Sequence, residues 1–334
     1  MKKNFIKPQS FRVLNYKILL FLLFIFAVQT QAQITPTVES GKFRLHKFEQ
    51  EIGEETYEIT RTGDSLLVKS NFKFTDRGSP VPLTATLKTK QDLTPESFEI
   101  KGSTARGSTI DTSIQINGNS AVVREGKETR TVTVPANFFT IAGYAPTAVQ
   151  QMMMRYLINN KIKGSLETLP SGAVTVEKRG TDQIKNGDKT VALDRYIVSG
   201  LIWGRESIWL DGQNNLVALV GVDAEFDHFE ALRDGYESAL ATFVDKAAAD
   251  GMASLADLSK KLSPEQKGVL AITNANVIDG TGNAPLKDAV IVIENGRITS
   301  IGARSSVKIP KSAKTFDAQG KYVVPGLFDM HAHF

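Results

Sequence analysis

Apolar and polar positions alternate along much of the chain, from about residue 43 to residue 220. Successive side chains of a β-strand point to opposite faces of the sheet, so a spacing of two predicts strands that each bury one face. These apolar sets are, in chain order, Phe43/Leu45, Tyr57/Ile59, Phe72/Phe74, Leu83/Ala85/Leu87, Phe98/Ile100, Ile114/Ile116, Val132/Val134, Val174/Val176, Ile208/Leu210 and Leu216/Ala218/Val220.

Short segments rich in glycine and asparagine separate these strands. Both residues tolerate the positive φ angles of tight hairpin turns. Strands that recur without helices between them predict an antiparallel meander, here a large curved sheet or half-barrel. The turn segments are Thr62-Gly63-Asp64, Arg77-Gly78-Ser79-Pro80, Asn117-Gly118-Asn119, Lys185-Asn186-Gly187-Asp188 and Asp211-Gly212-Gln213-Asn214.

One helix interrupts the meander and is expected to pack against the sheet. Pro146 stands near the first helical position, where a missing N–H is tolerated, and the helical run continues to Asn160. It carries Met152, Met153 and Met154, whose flexible side chains suit an adaptable apolar pocket. The alternative, which helical spacing favours, places one or two of them in the core and leaves the rest partly exposed.

Two histidines and both tryptophans fall within or beside this β-rich part. His46 follows Leu45 in an alternating strand, so it is expected to face outward. His228 is expected in a loop that leads into a helix, with a solvated or capping role. Trp203 and Trp209 fall in late strands and are expected to pack against the sheet.

After residue 222 the apolar period changes from two to three or four. This spacing predicts a helical connector over residues 223–264, made of two helices that the segment 248–251 separates. The residue before a proline resists helix, so the connector ends at Ser263-Pro264. The apolar positions are Leu232, Tyr236, Leu240, Phe243, Leu255, Leu258 and Leu262.

Short strands return in residues 265–323. Apolar runs at Val269–Ile278 and Ala289–Ile293 predict buried strands, and the tight turn signal Asn295-Gly296 leads to a partner strand over Arg297–Gly302. The segment Thr315–Gly320 is expected to form another turn. This region is therefore a second, smaller β-domain.

The charge of the chain is concentrated at its start. The formal charge is +4, with 40 basic and 36 acidic residues. Residues 1–33 hold five basic residues and no acidic one, which leaves 35 basic and 36 acidic residues elsewhere. The remainder is close to neutral, so no nucleic-acid partner is expected.

The first 32 residues have the parts of a secretory signal peptide. A basic segment precedes the apolar run Ile18–Val28, and Thr30-Gln31-Ala32 is a cleavage signal. A permanent anchor is the alternative, but this run forms a helix of only about 16 Å, roughly half the hydrocarbon thickness of a bilayer. We expect cleavage after Ala32, a periplasmic or secreted protein, and membrane contact only through the transient leader. The mature β-rich accessory domain then covers residues 33–222.

Candidate metal ligands stand in the last residues. Asp329, His331 and His333 are spaced by two, so on a strand they share one face. Imidazole nitrogens are common zinc ligands, and a neighbouring carboxylate is able to orient one imidazole ring by a hydrogen bond. The alternative is a surface strand with two incidental histidines.

The spaced motifs of residues 265–334 resemble the metal-dependent amidohydrolase superfamily, closest to its imidazolonepropionase-like and prolidase-like branches. The resemblance is carried by Asn274–Gly282, Val290–Gly302, Asp317–Lys321 and Val323–His333. It implies a small β-sandwich at residues 265–323 and the first strand of a (β/α)8 barrel at residues 324–334. In that family, metal-activated water hydrolyses C–N bonds of peptides, amides or cyclic amides.

The resemblance also implies roles for the candidate ligands and shows what this chain lacks. His331 and His333 are the expected ligands of one or two divalent ions, here zinc, and Asp329 is the supporting residue. The family needs further ligands and a general base from later barrel strands. We therefore expect the N-terminal part of an exported amidohydrolase, with no catalytic residue within these 334 residues, no stable hold on metal and no activity alone.

A binding module is the competing interpretation of the same chain. The predicted half-barrel resembles the open β-clam domains of bacterial envelope proteins, some of which hold lipids. On this interpretation residues 34–220 hold an apolar or envelope ligand, and the last 70 residues are a remnant of an amidohydrolase. The reading frame after Phe334 and any lipid bound to the β-rich domain distinguish the two.

Overall fold

The fold is taken from a computed structural model, which describes residues 37–76, 78–104, 107–202, 204–222, 227–262 and 268–327. Of these residues 58% lie in strands and 14% in helices. The predicted mainly β fold with a large antiparallel sheet is confirmed. The described chain forms two compact units. The first comprises the chain up to Arg44 and Ile52–Val174, and the second comprises Leu45–Glu51 and the chain from Thr175 onward.

The first unit is built mainly from antiparallel neighbours that follow chain order. Its strands are hydrogen-bonded in the order β8-β7-β6-β5-β4-β3-β2-β1, and β9 pairs with β10 in parallel. The bounds are β1 Thr37–Lys47, β2 Gln50–Thr62, β3 Ser65–Asp76, β4 Ser79–Lys90, β5 Pro95–Ser103, β6 Thr109–Asn117, β7 Ser120–Glu125, β8 Glu128–Thr133, β9 Phe138–Thr140 and β10 Ser165–Leu169.

The period of two accounts for these strands. In β4, the apolar residues Val81, Leu83, Ala85 and Leu87 are buried, and the residues between them are exposed or half-buried. Predicted turns lie between consecutive strands at residues 63–64 and at residues 118–119, whereas Ser79 and Pro80 of the second predicted turn belong to β4 and Arg77 lies outside the described residues. Sequence alternation therefore indicates β1 to β6 and β8, whereas no alternating set predicted β7, β9 or β10.

The predicted helix is present as α1, Thr147–Asn159. It begins after Pro146, which has no side chain able to cap the helix. Met152, Met153 and Met154 are all buried, so the expectation that some would be partly exposed is wrong. Ten of the thirteen residues of α1 are buried, because the helix is covered on most of its circumference.

The second unit continues the antiparallel pattern with β11–β15. Neighbours in chain order are hydrogen-bonded in pairs. The bounds are β11 Ala173–Asn186, β12 Lys189–Ser199, β13 Arg205–Leu210, β14 Leu216–Val222 and β15 His228–Arg233. A short 3-10 helix, Glu237–Ala239, leads into α2, Leu240–Leu262. Trp209 is fully buried against Phe243 of α2, with ring centroids 4.9 Å apart, as expected for this tryptophan.

The predicted two-helix connector is wrong in two respects. His228–Arg233 is a strand, because His228–Leu232 pairs with β14. Leu240–Leu262 forms one continuous helix, α2, in which Gly251 lies within the helical run and does not interrupt it. A single glycine costs an α-helix only about 1 kcal/mol, which the other residues of a 23-residue helix offset.

The smaller β-domain forms a separate five-stranded sheet. Its order is β18-β17-β16-β19, and β20 also pairs with β16. The bounds are β16 Val269–Val277, β17 Leu286–Glu294, β18 Arg297–Ala303, β19 Lys314–Asp317 and β20 Tyr322–Val323. Asn295 and Gly296 both have positive φ, as their tight turn requires. The expected turn over Thr315–Gly320 is in part a strand, because β19 pairs in parallel with β16.

Among the described residues, no helix combines the length and the apolar character needed to cross a membrane.

Candidate functional site

The predicted ligands Asp329, His331 and His333 lie outside the described residues, and so do the predicted signal peptide and Trp203. The structure does describe the segment that leads to the ligands. The N–H of Ile278 donates a hydrogen bond to the carbonyl oxygen of Val323 over 2.9 Å. The N–H of Asn276 donates one to the carbonyl oxygen of Lys321 over 3.0 Å. The chain therefore leaves the smaller sheet from a strand fixed to its central strand β16.

One face of the smaller sheet carries an apolar row across four strands. Ile301, Ile291, Ile272 and Phe316 are consecutive cross-strand partners. Ile291 is buried, whereas Ile301 is 47% exposed and Phe316 is 59% exposed. The row is thus buried at its centre and exposed at both edges. Ile301 and Phe316 at the two edges of the row are therefore apolar side chains available for contact with further protein.

The described residues contain no group of three histidines, aspartates or glutamates that is able to hold a metal ion.

A histidine–carboxylate pair was missed by sequence reasoning. His228 lies on β15 and not in the expected loop, and its Nδ1 is 2.5 Å from Oε1 of Glu230. Glu230 has a fully buried side chain, and its Oε2 accepts the backbone N–H of Glu49 over 3.1 Å. The ring of His228 also stacks on Phe48, with centroids 6.4 Å apart. The spacing of two between His228 and Glu230 was the available signal.

The pair determines the protonation state of His228. The hydrogen bond to Glu230 raises the pKa of His228, the charge of the same carboxylate adds to this, and partial burial opposes it. A protonated imidazole bound through Nδ1–H leaves its Nε2–H as a hydrogen-bond donor. The protonated form of His228 thus presents a donor at Nε2, and the pair with Glu230 favours that form.

His228 lines a cavity of about 230 Å³ within the second unit. The cavity lies between α2 and the sheet, and its walls combine apolar and polar groups. The polar side chains are Arg205, Ser207, His228, Asp250 and Ser254.

Ion pairs hold α2 onto the strands beside this cavity. Asp182 on β11 accepts hydrogen bonds from the Trp209 indole at 2.9 Å and from Lys246 of α2 at 3.0 Å. Burial acts to raise the pKa of Asp182, but these two hydrogen bonds and the charge of Arg195 outweigh it, so the pKa lies below its ordinary value. Asp182 therefore stays ionised and fixes the helix to the sheet.

The expectation that His46 faces outward is wrong. His46 is only 5% exposed, and its neighbour Lys47 is equally buried and pairs with Asp227 at 3.2 Å. Both faces of β1 are covered at this end, so alternation no longer separates an inner from an outer face. Within the described part of the chain, Nδ1 of His46 has no hydrogen-bond partner.

Comparison with known proteins gives short local similarity. No family model matches the chain. Imidazolonepropionase of Mycolicibacterium smegmatis is 40% identical over 62 residues, which are 19% of this chain and 15% of that enzyme. Dihydroorotase of Trichlorobacter lovleyi is 51% identical over 43 residues, 13% of this chain and 10% of that enzyme. Dihydroorotase of Lactococcus lactis is 42% identical over 67 residues, 20% of this chain and 14% of that enzyme.

The chain thus spans between 10% and 15% of the length of these curated relatives. Among solved structures, the β subunit of DNA polymerase III from Pseudomonas aeruginosa aligns over 86% of this chain and 82% of that chain, at 12% identity. Its TM-score of 0.11 is too low to support an argument about fold. The sequence matches show partial similarity to amidohydrolase-superfamily enzymes, which are hydrolases acting on C–N bonds.

Proposed function

We propose that this chain is the N-terminal part of an exported, metal-dependent amidohydrolase that hydrolyses amide, peptide or cyclic amide C–N bonds. The observation that carries the proposal is the 40–51% identity to imidazolonepropionase and dihydroorotase over 43 to 62 residues. Substrates are small molecules or peptides. Residues 33–222 form an accessory domain ahead of the catalytic part.

Two features of the smaller sheet support this proposal. Its strand β20 leads, after Pro325-Gly326, toward Asp329, His331 and His333 in the order that the resemblance requires. Its apolar row from Ile301 to Phe316 is exposed at both edges, as expected of a sheet that packs against further segments of a larger enzyme.

The donor set fits the metal that the family implies. Two imidazole nitrogens from His331 and His333 suit zinc, and Asp329, two residues before His331 in the sequence, supplies a carboxylate able to orient an imidazole. When bound, such a metal activates water toward a carbonyl carbon. Two imidazoles and one carboxylate do not complete the ligand set of the family. We therefore propose that these 334 residues are inactive by themselves and hold zinc weakly.

Zinc binding tests the ligand assignment. Zinc is titrated into the purified chain against a competing chelator, with the double variant His331→Ala/His333→Ala alongside. We expect the double variant to lose at least about tenfold in affinity. His228→Asn is the matched control, because it removes a histidine elsewhere and should leave zinc affinity unchanged. Equal zinc affinity in the double variant and the parent chain would overturn the assignment.

Activity tests the reaction class. The product of the complete reading frame and the 334-residue chain are assayed with zinc on acyl-amide, X-Pro dipeptide and cyclic-imide substrates. We expect metal-dependent turnover from the former and none from the latter. No turnover by the complete product on any of the three classes contradicts the amidohydrolase proposal. Turnover by the 334-residue chain contradicts only the proposal that its ligand set is incomplete.

A further inference from the structure

The cavity between α2 and the sheet of the second unit has the properties of a ligand site. Its volume of about 230 Å³ is roughly eight times the share of one water molecule in the liquid. It therefore has room for a ligand of about six to eight non-hydrogen atoms. None of the residues assigned above to the metal or its approach lines this cavity.

The cavity exists because α2 changes from large to small side chains along one face. Phe243 fills the space against Trp209, with ring centroids 4.9 Å apart. The residues four, eight and eleven positions later are Ala247, Gly251 and Ser254, and all three line the cavity. No side chain of α2 fills this part of the interface.

The sheet beneath presents a defined row of side chains. Ile197, Ser207, Val220 and Glu230 are successive cross-strand partners on β12 to β15, so they share one face. Glu230 lies at the end of this row and holds His228, whose cross-strand partner Val222 also lines the cavity. The sheet side of the cavity therefore combines the apolar side chains of Ile197 and Val222 with the polar side chains of Ser207 and His228.

The polar side chains of the cavity are mostly hydrogen-bond donors. In its protonated form, which the contact of Nδ1 with Glu230 favours, His228 offers Nε2–H. Arg205 offers its guanidinium, which contacts the Ser254 hydroxyl and, among the described residues, has no carboxylate in an ion pair. Ser207 is buried and adds a hydroxyl.

Asp250 is the one acidic residue among the described residues of the lining, and arginines neutralise it. Its Oδ2 is 3.3 Å from Nη1 of Arg195, and its Oδ1 is 3.5 Å from Nε of Arg179. The charge of Glu230 is likewise balanced by His228. The positive charge of Arg205 is then left for an incoming ligand to neutralise, so the site favours an anion.

We propose that this cavity binds a small organic monocarboxylate with a short aliphatic tail. The carboxylate lies between Arg205 and His228, where charged donors make strong hydrogen bonds to it. The tail lies against Ile197, Val222 and Ala247. The site belongs to the β-rich part of the chain and is independent of the proposed metal centre.

Calorimetric titration of the 334-residue chain tests the proposal, with hexanoate as the probe and EDTA present to exclude metal-bound carboxylate. Hexylammonium is the matched ligand of opposite charge. We expect saturable binding of hexanoate with a Kd of about 1 mM or tighter, and binding of hexylammonium at least about tenfold weaker. Arg205→Gln and His228→Asn should each weaken hexanoate binding about tenfold.

A space-filling variant tests whether the ligand enters the cavity. A Cβ atom at Gly251 meets no atom within 4 Å, and leucine favours a helix more than glycine does, so Gly251→Leu should fold. We expect it to abolish hexanoate binding. Ala253→Leu adds a leucine at an exposed position of the same helix outside the cavity and should bind like the parent chain.

The outcomes separate this site from the metal centre. Unchanged hexanoate binding in His331→Ala/His333→Ala supports an independent site, and loss of binding there overturns the proposal. It is also overturned if hexanoate does not bind saturably, if hexylammonium binds equally well, or if Gly251→Leu binds hexanoate as the parent chain does while its circular dichroism shows a folded protein.

Discussion

At the scale of single residues, buried carboxylates organise this protein. The side chains of Glu230 and Glu55 are fully buried, and that of Asp182 is largely buried. Each carboxylate accepts a hydrogen bond from a residue that is distant in sequence. A buried charge without partners costs several kcal/mol, so each of these acids stabilises one arrangement of its donors. The donors include backbone N–H groups, a helix lysine and an imidazole.

The His228–Glu230 pair leads to a prediction about pH. The raised pKa of His228 means that the folded chain holds this proton more tightly than the unfolded chain, whose histidine has a pKa near 6.5. The contribution of the pair to stability is fully present below pH 6.5 and is lost as pH rises through the raised pKa. Glu230→Gln should therefore reduce the free energy of unfolding most at low pH. Urea unfolding between about pH 5 and pH 9 measures this.

Glu294→Gln provides the control for this prediction, because it removes one negative charge at an exposed position. It should leave the pH profile nearly unchanged. A difference between Glu230→Gln and the parent chain that does not vary with pH would show that the carboxylate does not act through His228.

At the scale of elements, helix α1 depends on a residue from another strand. Its N-cap is Pro146, which offers no side-chain acceptor. Glu55 on β2 accepts the N–H groups of Thr147 and Ala148 at 2.8 and 2.9 Å, and the hydroxyl of Ser70 at 2.7 Å. Burial raises the pKa of Glu55, while these hydrogen bonds favour its charged form. The start of the helix is thus fixed by tertiary contact.

Glu55→Ala should destabilise the protein by about 2–3 kcal/mol, because it leaves two buried helix N–H groups and a buried hydroxyl without an acceptor. Chemical denaturation measures the change in unfolding free energy. Glu58→Ala, at an exposed position of the same strand, should change it by less than about 0.5 kcal/mol. Similar effects of the two variants would contradict the capping role of Glu55.

Two glycines of the second unit should respond oppositely to alanine. Gly251 lies within α2 with open space at its Cβ position, so Gly251→Ala should stabilise the protein by about 0.5–1 kcal/mol. Gly221 lies on β14, where a Cβ would stand 2.8 Å from Cγ of Glu206. Gly221→Ala should therefore destabilise it by about 1–3 kcal/mol. Thermal unfolding measures both, and stabilisation by Gly221→Ala would contradict the close approach.

At the scale of the whole molecule, the basic charge of the chain belongs to its first residues. Of the 40 basic residues, five lie within residues 1–33 and no acidic residue does. We predict that expression in a bacterial host with an envelope yields a periplasmic or secreted protein that begins at Gln33. Intact mass and N-terminal sequencing of the exported protein check this, and an intact leader in that fraction would contradict it.

Much of the fold could be predicted from the sequence, but less of the candidate sites. The strand alternation, the turns and α1 follow from local spacing and turn chemistry. The strand at His228–Arg233 was missed because Leu232 and Tyr236 also fit a helical period, and pairing with β14 decides between the two. His46 was misplaced because alternation indicates an outer face only where one face of a strand is exposed.

The sequence by itself determined the mainly β class, many of the hairpins, the basic charge of the first 33 residues and the motif that ends in His331 and His333. Local spacing suffices for these features, because each depends on residues close together in the chain. Only the tertiary structure decided which polar residues meet. Glu230 accepts a hydrogen bond from the backbone of Glu49, which is 181 positions away in the chain. Asp182 accepts one from Lys246, which is 64 positions away. Burial makes such contacts favourable, and no local period indicates them.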